Sequence, residues 1–357
     1  MAVRLIGMIG VTPPAGTSLH VIRGAMSRDY LVEFTRAHED SGFDSVLVGY
    51  YAASAEGFNV ALYAATQTRK ICFLIAHRPG FVAPTLAARK FATFDQLTDG
   101  RLHIHIIAGT SDAEQRADGD FLAKGDRYRR ASEYLKIMRR VWTESAPFDI
   151  EGEFYKLKGA YSDIRPYQQP HPPLFFGGSS EGALVMGAEH CDVFALYGEP
   201  LTETETRIAD FRRRTKAHNR PAKFNISFRP IIAPTEGGAW DKARCLLADI
   251  EGNTKVLAPQ NESAHRLFNM ASKSDVFDER LWMGIAKATG APGNTTCLVG
   301  TPGQVAQAIA KYYRLGAESF LLRGFDPLND AKEFGRELIP MIRQECAVID
   351  QERRVAA

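Results

Sequence analysis

The chain has 357 residues, of which 45% are hydrophobic and 24% are charged, and its formal net charge at pH 7 is +2. This composition is typical of a globular protein, and so small a net charge gives no electrostatic argument for a nucleic-acid or membrane partner. The five cysteines have no CxxC spacing, which argues against a disulfide framework or a zinc site. Because no signal peptide and no bilayer-length apolar run is recognisable, we expect a cytoplasmic protein.

Apolar β-rich runs alternate with amphipathic helical patterns from one end of the chain to the other. Strands are predicted at Leu5–Val11, Ser45–Val48, Ile71–Ile75, Leu102–Ile107, Leu174–Phe176, Val193–Leu196, Phe224–Ile232 and Phe320–Leu322. Helices are predicted near 28–41, 57–68, 83–97, 127–144, 180–189, 202–219, 302–315 and 328–350.

Eight strands, each followed by a helix, are the count that an α/β fold of the (β/α)8 TIM-barrel type requires. We expect one such domain over residues 1–357, with insertions. A doubly wound sheet would give the same alternation, but the absence of an opening GxGxxG motif favours the closed barrel.

Insertions interrupt this alternation in two parts of the chain. Inserted loops are predicted at 108–126 and 148–170, the second with a hairpin-like piece over 148–155. A longer insertion over 233–297 separates the seventh strand from the seventh helix. Loops that follow strand carboxyl ends lie on the face where barrel active sites are built, so we expect segment 233–297 to act as a lid.

The most informative motif is the run Gly177-Gly178-Ser179-Ser180, between the fifth strand and a helical pattern. Glycines let the backbone approach a ligand closely, and a helix that begins at a serine offers free N–H groups to an anion. The motif therefore predicts a phosphate-binding turn, although glycine and serine also serve strand-to-helix geometry alone.

Histidines and an arginine lie just after the third predicted strand and on the fourth. His77 and Arg78 leave the third strand, where they could bind an anion or an electron-rich ring, or belong to a packed loop. His103 and His105 alternate with apolar residues, so both point to one face, which in a barrel is the interior. No carboxylate or cysteine shares their spacing, so we expect no metal; His105 is predicted to hydrogen-bond a ligand and His103 to be structural.

Tyr128 lies between Arg127 and Arg129 at the start of the next helix. An exposed tyrosine among arginines can orient a phosphate, and a capped helix with a solvated basic face explains the same residues. The sequence has no GxSxG elbow, HExxH motif or Walker A loop. The absence of a dedicated nucleophile favours chemistry that is delegated to a cofactor.

Taken in order, these motifs resemble the bacterial luciferase-like flavin monooxygenases, and within them the alkanesulfonate monooxygenase branch. The matching segments cover nearly the whole chain outside 233–297 and are Ser41–Leu47, Arg78–Arg89, Phe94–Arg101, Asp126–Tyr128, Pro170–Ser180, Leu298–Pro302 and Arg323–Phe325. The resemblance implies a two-component monooxygenase, in which reduced FMN from a separate NAD(P)H-dependent flavin reductase and O2 oxygenate a small organic substrate. It also implies a homodimer or homotetramer.

Roles follow from the positions that match. The resemblance implies that Gly177–Ser180 hold the FMN phosphate, with Tyr128 beside the phosphate or ribityl chain. His105 takes the position where relatives often place an asparagine against the flavin, and His77 and Arg78 follow the strand where the ring is expected to rest.

Departures from the alkanesulfonate pattern weaken the case for a sulfonate substrate. Ser54 stands where those enzymes have a cysteine, Arg229 where they have a histidine, Ser227 where they have an arginine, and Phe325 where they have a tyrosine. We expect Arg229 to pin an anionic or carbonyl group of the substrate, and we predict Arg229, His77 and His105 as the catalytic residues. Ser54 is a candidate substrate contact. Further candidate substrate contacts are Tyr50, Tyr51, Phe58, Arg323 and Phe325.

The resemblance does not choose the substrate. An organosulfur compound or a heterocycle fits the family, and riboflavin itself is an alternative substrate. The same barrel could also serve a deazaflavin-dependent oxidoreductase or a non-catalytic flavin-binding protein.

Overall fold

A computed structural model describes residues 2–14, 24–108, 111–253, 258–259 and 261–356. Positions 109 and 110 of the predicted loop 108–126, and positions 254–257 and 260 of segment 233–297, lie outside the described residues. The strands are β1 Arg4–Ile9, β2 Ser45–Val48, β3 Cys72–His77, β4 Leu102–Ile106, β5 Phe148–Glu151, β6 Lys156–Ala160, β7 Leu174–Gly177, β8 Val193–Tyr197, β9 Lys223–Ile232, β10 Val276–Phe277, β11 Leu281–Trp282, β12 Cys297–Gly300 and β13 Ser319–Leu322.

The helices surround these strands. They are α1 Arg28–Asp40, α2 Gly57–Thr66, α3 Pro84–Leu97, α4 Asp112–Ala117, α5 Lys124–Thr143, α6 Glu181–His190, α7 Leu201–Lys216, α8 Glu236–Asn253, α9 Glu262–Ala271, α10 Gly284–Thr289, α11 Pro302–Leu315, α12 Pro327–Glu333 and α13 Ile339–Ala356. A π-helical turn, Phe334–Leu338, joins the last two. No helix of the described residues is long and apolar enough to cross a membrane.

Eight parallel strands close into a barrel in the order β1, β2, β3, β4, β7, β8, β9 and β13, with β13 returning to β1. The predicted (β/α)8 TIM barrel is confirmed. Local signals place its elements well: Thr301 and Gln304 form a capping box at the start of α11, and Gly316 ends that helix at φ 109°.

Side chains alternate along each barrel strand. One set points outward and packs against the helices, as Phe73 and Ile75 of β3 do. The inward set forms a compact apolar cluster of Ile6, Leu74, Phe175, Val193 and Leu321. Leu74 and Leu321 also line the cavity described below, so this cluster is its floor.

Segment 233–297 joins the barrel through the long strand β9. Residues Asn225 to Phe228 of β9 pair with β13, whereas Arg229 to Ile232 pair in parallel with β12, and β11 and β10 extend that small sheet. Helices α8, α9 and α10 precede or connect these strands. One ten-residue strand therefore serves both the barrel and the inserted sheet; the lid function of the segment stays a prediction.

Two predicted elements compare differently with the structure. The hairpin-like piece is confirmed, since β5 and β6 pair antiparallel. The predicted single helix 328–350 is wrong in detail, because the π-helical turn interrupts it. Gly335 in that turn lies so close to α1 that an added Cβ would be 2.4 Å from the Cβ of Ser41. The glycine permits this close approach.

Candidate active site

A cavity of about 300 Å³ opens at the carboxyl ends of the barrel strands. This is the face on which barrel enzymes build their active sites, and the volume lies at the lower end of the range for small-molecule pockets. Its polar lining residues are Tyr51, His105, Lys124, Tyr128, Ser179, Ser180, Tyr197, Glu199, Arg207, Asn225, Ser227, Asn261, Glu262, Ser263, Asn294 and Arg323.

The glycine–serine end of the cavity comprises Gly177–Ser180, Arg207 and Ser263. Gly178 has φ +133°, and a Cβ there would lie 2.9 Å from the Cβ of Ala183, so this turn requires glycine. Ser180 is the N-cap of α6, yet its side chain makes no capping bond, and its Oγ is buried without a partner among the described residues. A buried hydroxyl at a helix start suits an anion that supplies the missing acceptor.

Arg207 gives this end its cationic group. Its Nη1 donates to the Oγ of Ser179 at 2.9 Å and approaches Glu199 at 3.4 Å, while its buried Nε has no partner in the described parts of the chain. Burial lowers the pKa of Arg207, and Glu199 opposes that effect. Arg207 was not predicted from the sequence. It lies in the second turn of α7, a helix whose later basic residues are largely solvated.

Tyr128 lines the cavity, but it is buried rather than exposed as predicted. Its ring packs so closely on α6 that a Cβ at Gly182 would lie 2.9 Å away. Its arginine neighbours do not face the cavity wall: Arg127 hydrogen-bonds the carbonyl oxygens of Ala108 and Leu122. These bonds secure the loop that precedes α5.

Both histidines of β4 point into the barrel, as predicted. His105 lines the cavity, and burial lowers its pKa to about 4, so it is neutral at pH 7. Its Nδ1 is buried without a partner among the described residues, and so is that of His103. His103 stacks on Phe175 at 5.7 Å between ring centroids, deeper in the barrel. In the described chain, no group of three or more His, Cys, Asp or Glu residues could hold a metal ion.

His77 does not reach the cavity. It ends β3 with the same outward orientation as Phe73 and Ile75, so its Nε2 meets the hydroxyl of Tyr134 at 2.9 Å. Its ring lies edge-on to Phe91 at 5.0 Å, and burial lowers its pKa to about 3. The predicted catalytic position is replaced by a packing role between α3 and α5, because the strand alternation turns this side chain away.

Arg78 and Tyr50 meet each other outside the cavity wall. The guanidinium of Arg78 lies 4.3 Å from the Tyr50 ring centroid and pairs with Glu114 at 2.6 Å and with Asp118 at 3.3 Å. The Tyr50 hydroxyl donates to the same Asp118 at 2.9 Å. This cluster fastens α4, within the predicted loop 108–126, to the ends of β2 and β3.

Two further predicted substrate contacts also lie outside the cavity. The Oγ of Ser54 donates to the carbonyl oxygen of Tyr51 at 2.9 Å and so closes a local turn. Phe58 lies in the first turn of α2, and its ring packs edge-on against those of Phe91 and Phe94, with 5.9 and 5.7 Å between ring centroids. Their roles are structural in this arrangement.

Arg229 is fully buried behind the cavity and does not line it. Its Nε donates to the carbonyl oxygen of Asn294 at 2.8 Å, its Nη1 donates to that of Gly324 at 2.7 Å, and it lies 4.5 Å from the Phe325 ring centroid. The structure therefore gives Arg229 and Phe325 a supporting position. The guanidinium joins the chain before β12 to the chain after β13.

The opposite wall of the cavity comprises Tyr51, Tyr197, Ser227, Asn294 and Arg323. Burial lowers the pKa of Arg323 to about 10, and the nearby hydroxyls of Tyr197 and Tyr51 oppose that shift. Asn294 is only 6% exposed, and both side-chain amide atoms are buried without a partner among the described residues. Strand alternation could have found Tyr197 and Ser227, whereas no local signal marks Asn294.

The closed parallel barrel has its cavity at the strand carboxyl ends, beside a glycine–serine turn, and this is the arrangement of TIM-barrel enzymes. The family described as luciferase-like monooxygenase matches residues 8–319. The chain belongs to this family, which confirms the resemblance and the prediction of an enzyme of the flavin-dependent monooxygenase class.

Solved structures share the fold at low sequence identity. Riboflavin lyase (RcaE), with modified FMN and riboflavin, is 20% identical at a TM-score of 0.77, over 96% of this chain and 92% of that one. EDTA monooxygenase (EmoA) from Chelativorans sp. BNC1 is 17% identical at 0.71, over 96% and 94%. Long-chain alkane monooxygenase (LadA) is 17% identical at 0.73, over 96% and 92%.

Proposed function

We propose that this protein binds reduced FMN in the cavity and, with O2, oxygenates a small organic substrate as the oxygenase component of a two-component system. The observation that carries the proposal is the glycine–serine end, where Ser180 Oγ and Arg207 Nε are buried without partners in the described chain. A phosphate monoester supplies several acceptor oxygens to such groups. The riboflavin lyase structure, which contains modified FMN, supports the choice of cofactor by analogy.

The remaining cavity residues suit an isoalloxazine ring. The apolar side chains of Met8 and Leu47 line the cavity together with Leu74 and Leu321 of its floor. His105, which is neutral at pH 7, lies on β4, the strand next to β7. Its imidazole can donate a hydrogen bond to a heteroatom of the ring or accept one from it. Tyr128 lines the cavity beside the phosphate turn, with its hydroxyl 3.7 Å from where a Cβ of Gly178 would lie, and it could contact the ribityl chain there.

Bound reduced flavin supplies the reaction with O2, and the protein supplies the surroundings. The apolar floor would limit access of water to the reacting centre. Asn294 offers a donor and an acceptor, and Arg323 offers a cation, to a substrate on the opposite wall. Arg229 holds the backbone beside both residues and so acts as a positioning residue.

The substrate role of Asn294 has its own test. Asn294→Leu keeps the volume similar and removes both polar atoms, so we expect KM for the substrate to rise about tenfold, while FMN affinity is unchanged. Asn253→Leu, on the exposed end of α8, is the matched control. Equal losses of substrate and FMN binding in Asn294→Leu would remove it from the substrate wall.

The proposed function is tested by anaerobic titration with reduced and oxidised FMN, followed by assays with an NAD(P)H-dependent flavin reductase and isotopically labelled O2. Organosulfur compounds, heterocycles and riboflavin form the substrate panel. Tighter binding of reduced FMN and incorporation of labelled oxygen into a product support the proposal. If riboflavin is the compound that incorporates labelled oxygen, the protein is a flavin-degrading enzyme.

Two outcomes would favour other functions. Turnover with a reduced deazaflavin and without oxygen would identify a hydride-transferring oxidoreductase. Tight binding of oxidised FMN without any turnover would identify a flavin-binding protein. The separate reductase, the homo-oligomer and the cytoplasmic location stay predictions, to be checked by reconstitution, by light scattering and by cell fractionation.

A further inference from the structure

Asn294 lies in the loop between α10 and β12, on the opposite wall of the cavity. Its side chain is only 6% exposed, yet neither the amide oxygen nor the amide nitrogen has a partner among the described residues. Burial without a partner costs free energy for each of these atoms, and native proteins keep few such groups. On a cavity wall, a ligand that satisfies both atoms explains why they are there.

The loop that carries this amide has a constrained backbone. Gly290, Ala291 and Gly293 have φ values of 75°, 55° and 87°, all in the left-handed region. Ala291 is fully buried and has a side chain, and backbone strain of this kind is concentrated at functional sites. The Nε of Arg229 donates to the carbonyl oxygen of Asn294 at 2.8 Å. The backbone that presents the amide is therefore fixed before a ligand arrives.

The chemistry of a carboxamide determines which ligands it fits. Its oxygen accepts a hydrogen bond and its nitrogen donates one, so the ligand must present a donor and an acceptor side by side. The requirement is the same whichever way the amide is turned. A cis-amide edge, the –NH–C(=O)– of lactams, cyclic imides and cyclic ureides, presents this pair, as the edge of adenine does to asparagine in DNA recognition. Thioethers, sulfones and sulfonates have no donor for the amide oxygen.

A second polar contact lies close to Asn294. Arg229 donates to the carbonyl oxygens of both Asn294 and Gly324, at 2.8 and 2.7 Å, so the two backbone segments lie on one guanidinium. Arg323 directly precedes Gly324 and lines the same wall. An imide or a ureide has a second carbonyl oxygen on the far side of its N–H, to which the guanidinium of Arg323 can donate.

We propose that Asn294 selects substrates by a cis-amide edge, so that the substrates of this protein are lactams, cyclic imides or cyclic ureides. This inference rests on the proposed function and deepens it, because it favours the heterocycles over the organosulfur compounds. The substrate N–H donates to the amide oxygen of Asn294, and the adjacent carbonyl oxygen accepts from the amide nitrogen. Riboflavin, whose ring carries such an edge, stays within this class.

Binding of small probes to the complex with reduced FMN, measured by anaerobic calorimetry, tests the inference without turnover. Glutarimide presents the edge, N-methylglutarimide lacks its donor, and sulfolane has acceptors only. We expect glutarimide to bind at least about tenfold more tightly than the other two. Equal affinities for glutarimide and N-methylglutarimide, or no binding of glutarimide at millimolar concentration, would overturn the inference and leave the proposed function standing. Failure of reduced FMN to bind would instead overturn the proposed function.

Two variants assign the selectivity to one side chain. Asn294→Leu removes both polar atoms and should abolish the difference between glutarimide and its N-methyl derivative, with FMN affinity unchanged. Asn294→Asp keeps the shape and replaces the donor by an acceptor, so it should lose glutarimide and gain 2-iminopiperidine, whose amidinium presents two donors. Asn253→Leu, on the exposed end of α8, is the control and should keep the wild-type preference. A preference that survives in Asn294→Leu would overturn the role of Asn294, and a loss of FMN affinity would assign the amide to the flavin instead.

Discussion

The glycine–serine end and the opposite wall of the cavity are built in different ways. At the glycine–serine end, four consecutive residues, Gly177–Ser180, supply most of the groups, and their geometry is local. On the opposite wall, Tyr51, Tyr197, Ser227, Asn294 and Arg323 come from five separate parts of the chain. The glycine–serine end is therefore a local sequence motif, whereas the opposite wall forms only when the barrel and the inserted sheet are assembled.

The glycine–serine end and the opposite wall also differ in the residues that support them. The turn before α6 rests on the small volume of Gly178 and Ala183, whose contact leaves no room for a larger side chain. The opposite wall rests on the guanidinium of Arg229, which holds two carbonyl oxygens from distant segments. Damage to the first should therefore be confined to cofactor binding, whereas damage to the second should reach the stability of the whole fold.

The largest effect is expected from Arg229→Met. This change leaves the carbonyl oxygens of Asn294 and Gly324 buried without their donor, and we expect the free energy of unfolding to fall by about 3 kcal/mol. Urea denaturation followed by circular dichroism measures it. Arg213→Met, whose side chain is exposed on α7, is the control and should stay within about 0.5 kcal/mol. A change as small as the control's would mean that Arg229 supports nothing.

The next effect is expected from Gly178→Ala at the other end. A Cβ at φ +133° and 2.9 Å from the Cβ of Ala183 forces the turn to shift, at a strain of about 1–3 kcal/mol. We expect FMN affinity to fall between about tenfold and a hundredfold, measured by fluorescence titration. Gly237→Ala, in open space on α8, is the matched control and should bind FMN normally. Normal binding by Gly178→Ala would show that the turn does not hold the cofactor.

The stability of the fold is expected to depend on pH through His105, which lines the cavity. The pKa of His105 is about 4 in the folded protein, against an ordinary value of 6.5. As the pH falls, this side chain is therefore protonated in the unfolded chain before it is protonated in the folded protein. Stability contributed by neutral His105 is therefore lost as pH falls from about 6.5 to about 4, at up to about 1.4 kcal/mol per pH unit. His105→Asn should flatten the stability–pH curve in that window. The same change at exposed His218 is the control, and an equal effect from both would contradict the assignment.

The smallest effect is expected from Ser180→Ala. Loss of one hydroxyl that bonds a charged ligand should weaken FMN binding by about 1.5 kcal/mol, roughly tenfold, with no change in stability or in riboflavin binding. Parallel calorimetric titrations with the two flavins check it. A similar loss for riboflavin would move Ser180 away from the phosphate and towards the ring.

Much of the fold could be predicted because its signals are local. Alternating periodicity identified all eight barrel strands, and helical periodicity predicted α11 near 302–315, where the structure has it. The same periodicity oriented His103 and His105 inward. Applied to β3, it would also have turned His77 outward, with Phe73 and Ile75, away from the cavity.

The barrel, the family and the glycine–serine turn could be read from the sequence alone, because each depends on residue types at fixed short spacings. Which side chains reach the cavity was settled by the tertiary fold. Arg78 pairs with Glu114 and Asp118, and Arg229 donates hydrogen bonds to two backbone carbonyl oxygens. A buried guanidinium needs acceptors in place of water, and the fold determines which acceptors lie within reach. Arg207, Ser263 and Asn294 entered the site because separate segments converge there, and that convergence has no sequence period.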